Sequence, residues 1–438
     1  MRTVLCHGCF DPLHLGHIRH FRAATAHGQY LIVTVTADEF VNKGVGRPVF
    51  NQEQRMEAIR ALSCVNEVRL SNAPTAAGVI REIRPNIFAK GPDYSEATLD
   101  PGELQAMREV GAELLITKTE KFSSTALLRP ARTPEIDAYL ARLRQSYTAA
   151  DVLHWLDKAR TLRVLVIGEA IQDEYHYCNV LGKAGKEPIL AAKFEKAETF
   201  VGGAEAVWNH ARACSDYVGL TTGPTITKRR FIESYPFQKL FEVYEMDEAE
   251  QERAGDELRT MPACNLTIVA DYGHGLFTQT LRAALMGHPK IAVNVQANAG
   301  NHGFSTISKY PKAAFVCISE RELRLDARDQ RTDVQALMHA ASNRFGGTLL
   351  VTRGEHGCII VGAGGYREAP ALTDKTVDRV GAGDAVFAVT ACCQAVGMPL
   401  DLIAFVASVV GTMAVGIVGN SRYIERDALR TAIQSYLA

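Results

Sequence analysis

Two short stretches bring together side chains suited to phosphate chemistry. In "HGCFDPLHLGHIRHF" (residues 7–21), His14 and His17 flank Gly16, straight after a short apolar run. Three-residue spacing puts both histidines on one face of a helix. Backbone N–H groups at that helix start attract phosphate, and Gly16 lets a nucleotide approach the backbone closely. Both imidazoles can donate to a phosphate that gains charge during in-line displacement. In "DRVGAGDAVF" (residues 378–387), Gly381, Ala382 and Gly383 precede Asp384 and a long apolar run. Small residues there expose consecutive N–H groups as an anion hole. A carboxylate beside it can take the proton of an attacking hydroxyl.

Two such centres need two frameworks. The chain has 438 residues, too many for one ordinary core. Apolar runs alternate with amphipathic stretches. Strands are predicted at "TVLCH", "YLIVTVTA", "NEVRL", "NIFAK" and "AELLITK", with helices at "NQEQRMEAIRAL" and "PGELQAMREVG". This is the pattern of a parallel α/β sheet. Thr133-Pro134-Glu135 starts a helix with Ile136, Tyr139, Leu140 and Leu143 on one face. Asp151 caps a second helix or sits early in it. A further α/β pattern begins at "RVLVIGEA" and continues through "NLTIVADYG", "KIAVNVQ", "AAFVCIS" and "GTLLVTRG". From Gly383 to Gly416 the chain reads as buried helices. The expected division is a domain at 1–130, a helical connector at 131–161 and a second domain at 162–438.

Composition narrows the function classes. Hydrophobic residues make up 47% and charged residues 22%, and the net charge is −1. No bulk field draws such a chain to nucleic acid or anionic membrane. The ten cysteines are scattered, several in apolar runs, and read as small buried hydrophobes of a reducing cytoplasm. Cys6 and Cys9 form a C-x-x-C that reads as part of the strand end. The N-terminus has no signal-peptide layout, and no apolar run suggests a membrane span.

The first stretch resembles the nucleotidylyltransferase superfamily marked by H-x-G-H, and within it the cytidylyltransferase-like group. "TADEF", "KGVGRPVFNQEQRMEAI", "KGPDY" and "FSSTALLR" carry the likeness over about 125 residues. It implies that His14 and His17 stabilise the transition state at the α-phosphate, with Gly8, Phe10, Asp11 and Gly16 around the nucleotide. Lys43, Arg55 and Lys90 would neutralise phosphates, and Ser124 and Thr125 would hold phosphate at a helix start. The implied reaction joins ATP or CTP to a phosphomonoester, releases pyrophosphate, uses Mg²⁺ and needs no protein nucleophile.

The second stretch is close to the D-T-x-G-A-G-D-x-F signature of ribokinase-like (PfkB) sugar kinases. "FVGGAEAVWNHARAC" and "VTRGEHG" resemble further segments of those kinases, while "VLVIGEAIQDEYHY" and "VADYGHG" narrow the likeness to bifunctional heptose-phosphate kinase/nucleotidylyltransferases. The implied fold is a Rossmann-like N-terminal α/β domain plus a ribokinase-like α/β domain with a small β lid after Asp173. Asp384 would be the base and Gly381–Gly383 the anion hole. Asp173, Gly202, Gly203 and Asn209 would face the sugar. Thr352, Gly354 and Glu355 would lie near ATP, and Glu322 would hold Mg²⁺ through water. Small-molecule sugars or sugar phosphates and NTPs are the implied partners, in a cytoplasmic homodimer without nucleic acid or membrane. The expected function is a bifunctional enzyme of nucleotide-sugar synthesis acting on a heptose-like sugar. The alternative is a nucleotidylyltransferase fused to a kinase-like ligand-binding domain.

Three departures bear on that choice. The kinase half comes second here, whereas the bifunctional family puts it first. Gln296 stands where that family has a phosphate-contacting lysine, which points to an altered acceptor or a weak kinase. Ser319 replaces the asparagine of N-x-x-E, and the usual asparagine after G-G-A is missing.

Overall fold

The computed structural model describes residues 2–41, 48–92, 94, 98–117, 133–235, 238–258, 260–373 and 375–438. Lys43, Ser124 and Thr125 lie outside the described residues. The chain divides into two compact units, Met1–Pro130 and Ala131–Ala438.

In the first unit, β1 (Thr3–Gly8), β2 (Tyr30–Thr36), β3 (Glu67–Ser71), β4 (Ile87–Lys90) and β5 (Glu113–Ile116) form a parallel sheet in the order β3-β2-β1-β4-β5. Alternation along β1 explains the layers. Val4 and Cys6 join one core with Phe21, Ala24, Met56 and Ile59, from α1 (Leu15–Thr25) and α2 (Gln52–Arg60). Leu5 joins the other with Ile80, Ala106 and Met107, from α3 (Ala77–Ile83) and α4 (Pro101–Val110). Strand order reverses between β1 and β4, so the crevice at their carboxyl ends is the sheet's natural ligand position.

The second unit holds a ten-stranded sheet. β6 (Arg163–Lys183), β10 (Leu266–Asp271), β11 (Ile291–Val295), β12 (Phe315–Ser319) and β13 (Thr348–Thr352) form its parallel centre. β14 (Cys358–Gly362) and β15 (Gly365–Ala369) add an antiparallel edge. Helices cover both faces around two separate cores. Helices Pro134–Arg144 and Ala149–Ala159 contribute Ile136, Leu140, Val152 and Leu156 to one of these cores, so the segment expected as a connector is built into this unit. Thr133 caps the first of them; Thr148 caps the second, with Asp151 completing a reciprocal capping box.

β6 outruns the central sheet. Val164–Gly168 pairs with β10, and from Ile171 onward the strand pairs with β7 (Leu190–Gly202). β8 (Tyr217–Glu233) follows β6 in parallel across both regions, and β9 (Gln238–Glu245) flanks β8. The result is a lid layer in the order β7-β6-β8-β9. Register fixes what the lid turns inward. Asp173 pairs with Lys228 and Lys228 with Tyr244; two residues on, Tyr175 pairs with Arg230 and Arg230 with Glu242. Because side chains alternate along a strand, these residues share one face. The opposite face exposes Phe194, Phe241 and Val243.

Candidate active sites

In the first unit, β1 ends at Gly8 and the chain turns into α1. His14 is the N-cap of α1, with extended backbone. The backbone N of His17 lies 3.4 Å from His14 Nδ1, and that of His14 lies 3.4 Å from His17 Nδ1. The two rings stack at 3.7 Å, 13° from parallel, and Phe10 meets His17 edge-on at 5.2 Å. With Nδ1 facing backbone N–H groups, the neutral rings carry their proton on Nε2, and an Nε2–H is a phosphate donor. Asp11 is buried and accepts from the backbone N of Val49 and of Phe50 at 2.8 and 3.0 Å, pinning the loop before α2.

A buried polar group lies at the end of β4. Lys90 Nζ is 3.0 Å from Glu103, and Glu103 also accepts from the Ala76 backbone N at 2.9 Å. His7 pairs with Thr34 at 2.9 Å and His20 with Thr117 at 2.8 Å. Burial first, and the Lys90 charge second, push both imidazoles down to about 4, so they stay neutral near pH 7.

In the second unit, helix Ala382–Ala395 starts at Gly381, whose φ of 80° is left-handed. A Cβ at position 381 would lie 2.0 Å from Asn420 Oδ1, so the turn requires glycine. A Cβ at Gly383 would meet nothing within 4 Å. The helix start is therefore uncapped by a side chain and open above Gly383. Asp384, in the first turn, accepts from Tyr272 Oη at 2.9 Å. Burial pushes its carboxyl up to about 7; the Tyr272 bond and Lys228 oppose the rise, while Asp173 and Glu322 add to it. A carboxyl poised there can gain or lose a proton at neutral pH, as a general base must.

Comparison with known proteins bears on both arrangements. The cytidylyltransferase-like family matches residues 5–130, and the pfkB family carbohydrate kinase family matches residues 278–425. The chain carries a cytidylyltransferase-like domain and a pfkB domain. Bifunctional protein HldE of Coxiella burnetii is 38% identical over 127 residues, covering 28% of this chain and 26% of that protein. HldE of Streptomyces coelicolor is 39% identical over 132 residues, covering 30% and 28%. The chain thus spans about a quarter of the length of the curated relatives it matches. Phosphofructokinase-2 from Escherichia coli has a TM-score of 0.48 at 14% identity, covering 63% of this chain and 99% of that one. Methanocaldococcus jannaschii nucleoside kinase gives 0.49 at 13%, covering 63% and 99%.

Within the cytidylyltransferase-like domain, Gly8, Phe10, Gly16, His14 and His17 gather at the β1–α1 turn. Arg55, expected to neutralise phosphate, is engaged within the unit. It is 2% exposed, and its guanidinium donates to the carbonyls of Phe50, Cys9 and Thr36 and to Asp38, at 2.9, 2.6, 2.8 and 2.6 Å. It clamps the ends of β1 and β2 together. Lys90 is likewise engaged by Glu103. His7, His20 and Asp38 sit inside the quoted stretches and Glu103 inside a predicted helix, but the sequence reading assigned none of them a role, because their partners Thr34, Thr117, Arg55 and Lys90 are far away in sequence.

Within the second unit, Gly202 and Gly203 let helix Gly203–Ala211 start against Asp173: a Cβ at Gly202 would lie 2.6 Å from Asp173 Oδ2. Asp173 is bonded to Arg230. Asn209 donates to the Glu205 carbonyl of its own helix at 3.0 Å. Thr352 ends β13, Gly354 opens the following turn with φ 58°, and Glu355 is exposed. Ser319 caps helix Glu320–Ala327 and shares a capping box with Glu322, whose other oxygen accepts from the Ala297 backbone N at 3.0 Å. Serine and asparagine cap equally well, so Ser319 keeps the helix start that an asparagine would give.

Two further groups were given no role by the sequence reading. Lys228 is 4% exposed, and among the described residues its ammonium has no hydrogen bond or ion pair, only the Tyr244 ring at 5.0 Å. It supplies the positive charge beside Asp384. Asp378 is buried and accepts from Tyr175 Oη, Lys239 Nζ and the backbone N of Gly419 and Val380, at 2.9, 2.8, 2.9 and 3.1 Å. Burial alone would raise its carboxyl, but these donors hold it below the ordinary carboxylate value. Through Asp378 the lid is tied to the loop that builds the anion hole.

Proposed function

We propose that the chain is a bifunctional transferase of nucleotide-sugar synthesis. The pfkB domain transfers the γ-phosphoryl of ATP to a heptose-like sugar or sugar phosphate. The cytidylyltransferase-like domain transfers a nucleotidyl group from ATP or CTP to a sugar phosphate, releasing pyrophosphate. The observation that carries this reading is Asp384, a buried carboxyl pushed up to about 7 at an open, uncapped helix start. A domain that only bound a ligand would have no use for a base at that point.

In the kinase step, Asp384 takes the acceptor hydroxyl's proton while the Gly381–Gly383 N–H groups receive the transferring phosphoryl group. In the nucleotidylyl step, His14 and His17 donate to the α-phosphate as it gains charge. Mg²⁺ suits both steps. Among the described residues no three His, Cys, Asp or Glu side chains are grouped to hold a metal ion. Mg²⁺ would therefore be carried by the nucleotide phosphates, with Glu322 reaching it through water.

The setting follows from the same features. All ten cysteines are free, which suits a reducing cytoplasm. No described helix is long and apolar enough to cross a membrane. The outer face of the lid, with Phe194, Phe241 and Val243 exposed, suits a homodimer. The test is a matrix of NTPs against sugars and sugar phosphates, assayed for ADP and pyrophosphate. Release of ADP with some acceptor, and of pyrophosphate with its phosphorylated product, is expected. A purified chain that binds ATP and sugar yet never yields ADP would replace the kinase with a ligand-binding domain.

A further inference from the structure

Asp384 has two carboxyl oxygens, and the structure commits one of them. Tyr272 Oη donates to Oδ1 at 2.9 Å, and among the described residues no hydrogen bond reaches Oδ2. The phenol is held in place from its own backbone. Tyr272 follows β10 directly and is 2% exposed. Its backbone N donates to the buried Glu169 side chain at 2.6 Å, and its carbonyl accepts from Asn298 and Asn301 at 2.7 and 2.9 Å. Asp271, just before it, accepts from Tyr310 Oη and the Gly273 backbone N at 2.7 and 2.9 Å. The other groups facing Asp384 do not replace this bond. Asp173 of β6 and Glu322 of helix Glu320–Ala327 push its carboxyl up, Lys228 of β8 lowers it through charge, and burial keeps the Cys317 thiol of β12 neutral. Burial first, then the Asp384 charge, pushes the Tyr272 phenol well above its ordinary value, so it keeps its proton and remains a donor.

We propose that Tyr272 is the positioning residue of the kinase base: it fills Oδ1 of Asp384 and so leaves Oδ2 as the oxygen that takes the acceptor's proton. The inference rests on the kinase reading above. A carboxylate with both oxygens free rotates about its Cβ–Cγ bond, and neither oxygen keeps its aim at the acceptor. The Tyr272 bond removes that freedom before transfer begins. The same bond favours the ionised carboxylate, so it also sets how much base is present near neutral pH. As the acceptor hydroxyl oxygen bonds to the γ-phosphorus and ADP leaves, the hydroxyl proton moves to Oδ2, while the phenol O–H stays on Oδ1.

The test reads the carboxyl itself as well as turnover. In the full chain with ¹³C-labelled aspartate carboxyls, the Asp384 resonance, recognised by its loss in Asp384→Asn, would be titrated without substrates. Its midpoint should lie at about pH 7 in the wild type. In Tyr272→Phe, which keeps the ring and loses only the donor, it should lie about one unit higher. With ATP and an accepted sugar, the acid limb of kcat should move by the same amount. Above both midpoints kcat should still stay about tenfold below wild type, because the oxygen has lost its aim, with the KM for ATP unchanged. Asn298→Ala frees one of the two donors on the Tyr272 carbonyl and should shift the midpoint the same way by less. An unmoved midpoint in folded Tyr272→Phe, or a kcat that recovers fully at high pH, overturns the inference. If Tyr272→Phe fails to fold, an unmoved midpoint in Asn298→Ala overturns it as well. A shifted midpoint with no ADP release from any acceptor would leave the hold of Tyr272 on Asp384 standing and overturn the kinase reading instead.

Discussion

Each unit starts a helix at its candidate site, but the two starts are built in opposite ways. α1 closes its own N-terminus: His14 and His17 cap each other's backbone N–H groups, so in the proposed reaction the rings, not the backbone, would meet a phosphate. Helix Ala382–Ala395 leaves its N–H groups open, because Gly381 has no side chain and the space above Gly383 is clear. The first site offers donors and no base; the second offers backbone donors and a buried carboxyl. The difference matches the two proposed reactions. Nucleotidylyl transfer begins from a phosphate that is already an anion and needs no deprotonation. Phosphorylating a sugar hydroxyl requires a proton acceptor.

If that contrast is right, each site fails alone. Asp384→Asn keeps the open helix start but loses the base. Kinase turnover should fall by about 10³-fold, with pyrophosphate release and ATP binding nearly unchanged. His17→Ala should lower pyrophosphate release by about 10²-fold and leave ADP release intact. Matched effects on both products, in folded variants, would erase the distinction.

The pH dependence sharpens the contrast further. Asp384 acts as a base only when ionised, so ADP release should drop about tenfold per pH unit below about pH 7 and level off above it. Pyrophosphate release should not share that limb. The same shift has a stability sign. The folded carboxyl holds its proton up to about pH 7, whereas an unfolded aspartate loses it near 3.8. Wild-type stability should therefore fall between those two values as pH rises. Asp384→Asn should flatten that decline, measurable as Tm against pH. A smaller effect separates capping from catalysis: Ser319→Ala removes one cap and should cost about 1 kcal/mol of stability by denaturant titration.

Much of the fold was legible because its signals are local. Apolar runs marked β1 to β5, and Thr133-Pro134 marked a helix start. The G-A-G-D and H-x-G-H turns were visible because glycine and histidine at those spacings have few other uses. The lid strands β8 and β9 were harder to find. Thr225–Arg230 mixes Thr, Lys and Arg, since one face meets a polar cleft, so no apolar run marks it. Lys228 and Tyr244 reach the site only through strand register, a long-range property. Arg55 shows the opposite difficulty. It sits in a recognised motif, but its burial among carbonyl oxygens cannot be read from one residue. Asp378 stood in plain view within "DRVGAGD", yet its partners come from Tyr175, Lys239 and Gly419, far away in sequence.

The central claim is that one chain performs two separate transfers. Complementation tests it most directly. His17→Ala and Asp384→Asn proteins would each be given sugar, ATP and CTP, alone and mixed, and nucleotide-sugar formation followed by ³¹P NMR. Each variant alone should form almost none. The mixture should recover about half the wild-type rate per total protein, because the phosphorylated sugar made by one protein can be used by the other. A mixture as inactive as its components, with both variants folded and each retaining its own half-reaction, would contradict the account.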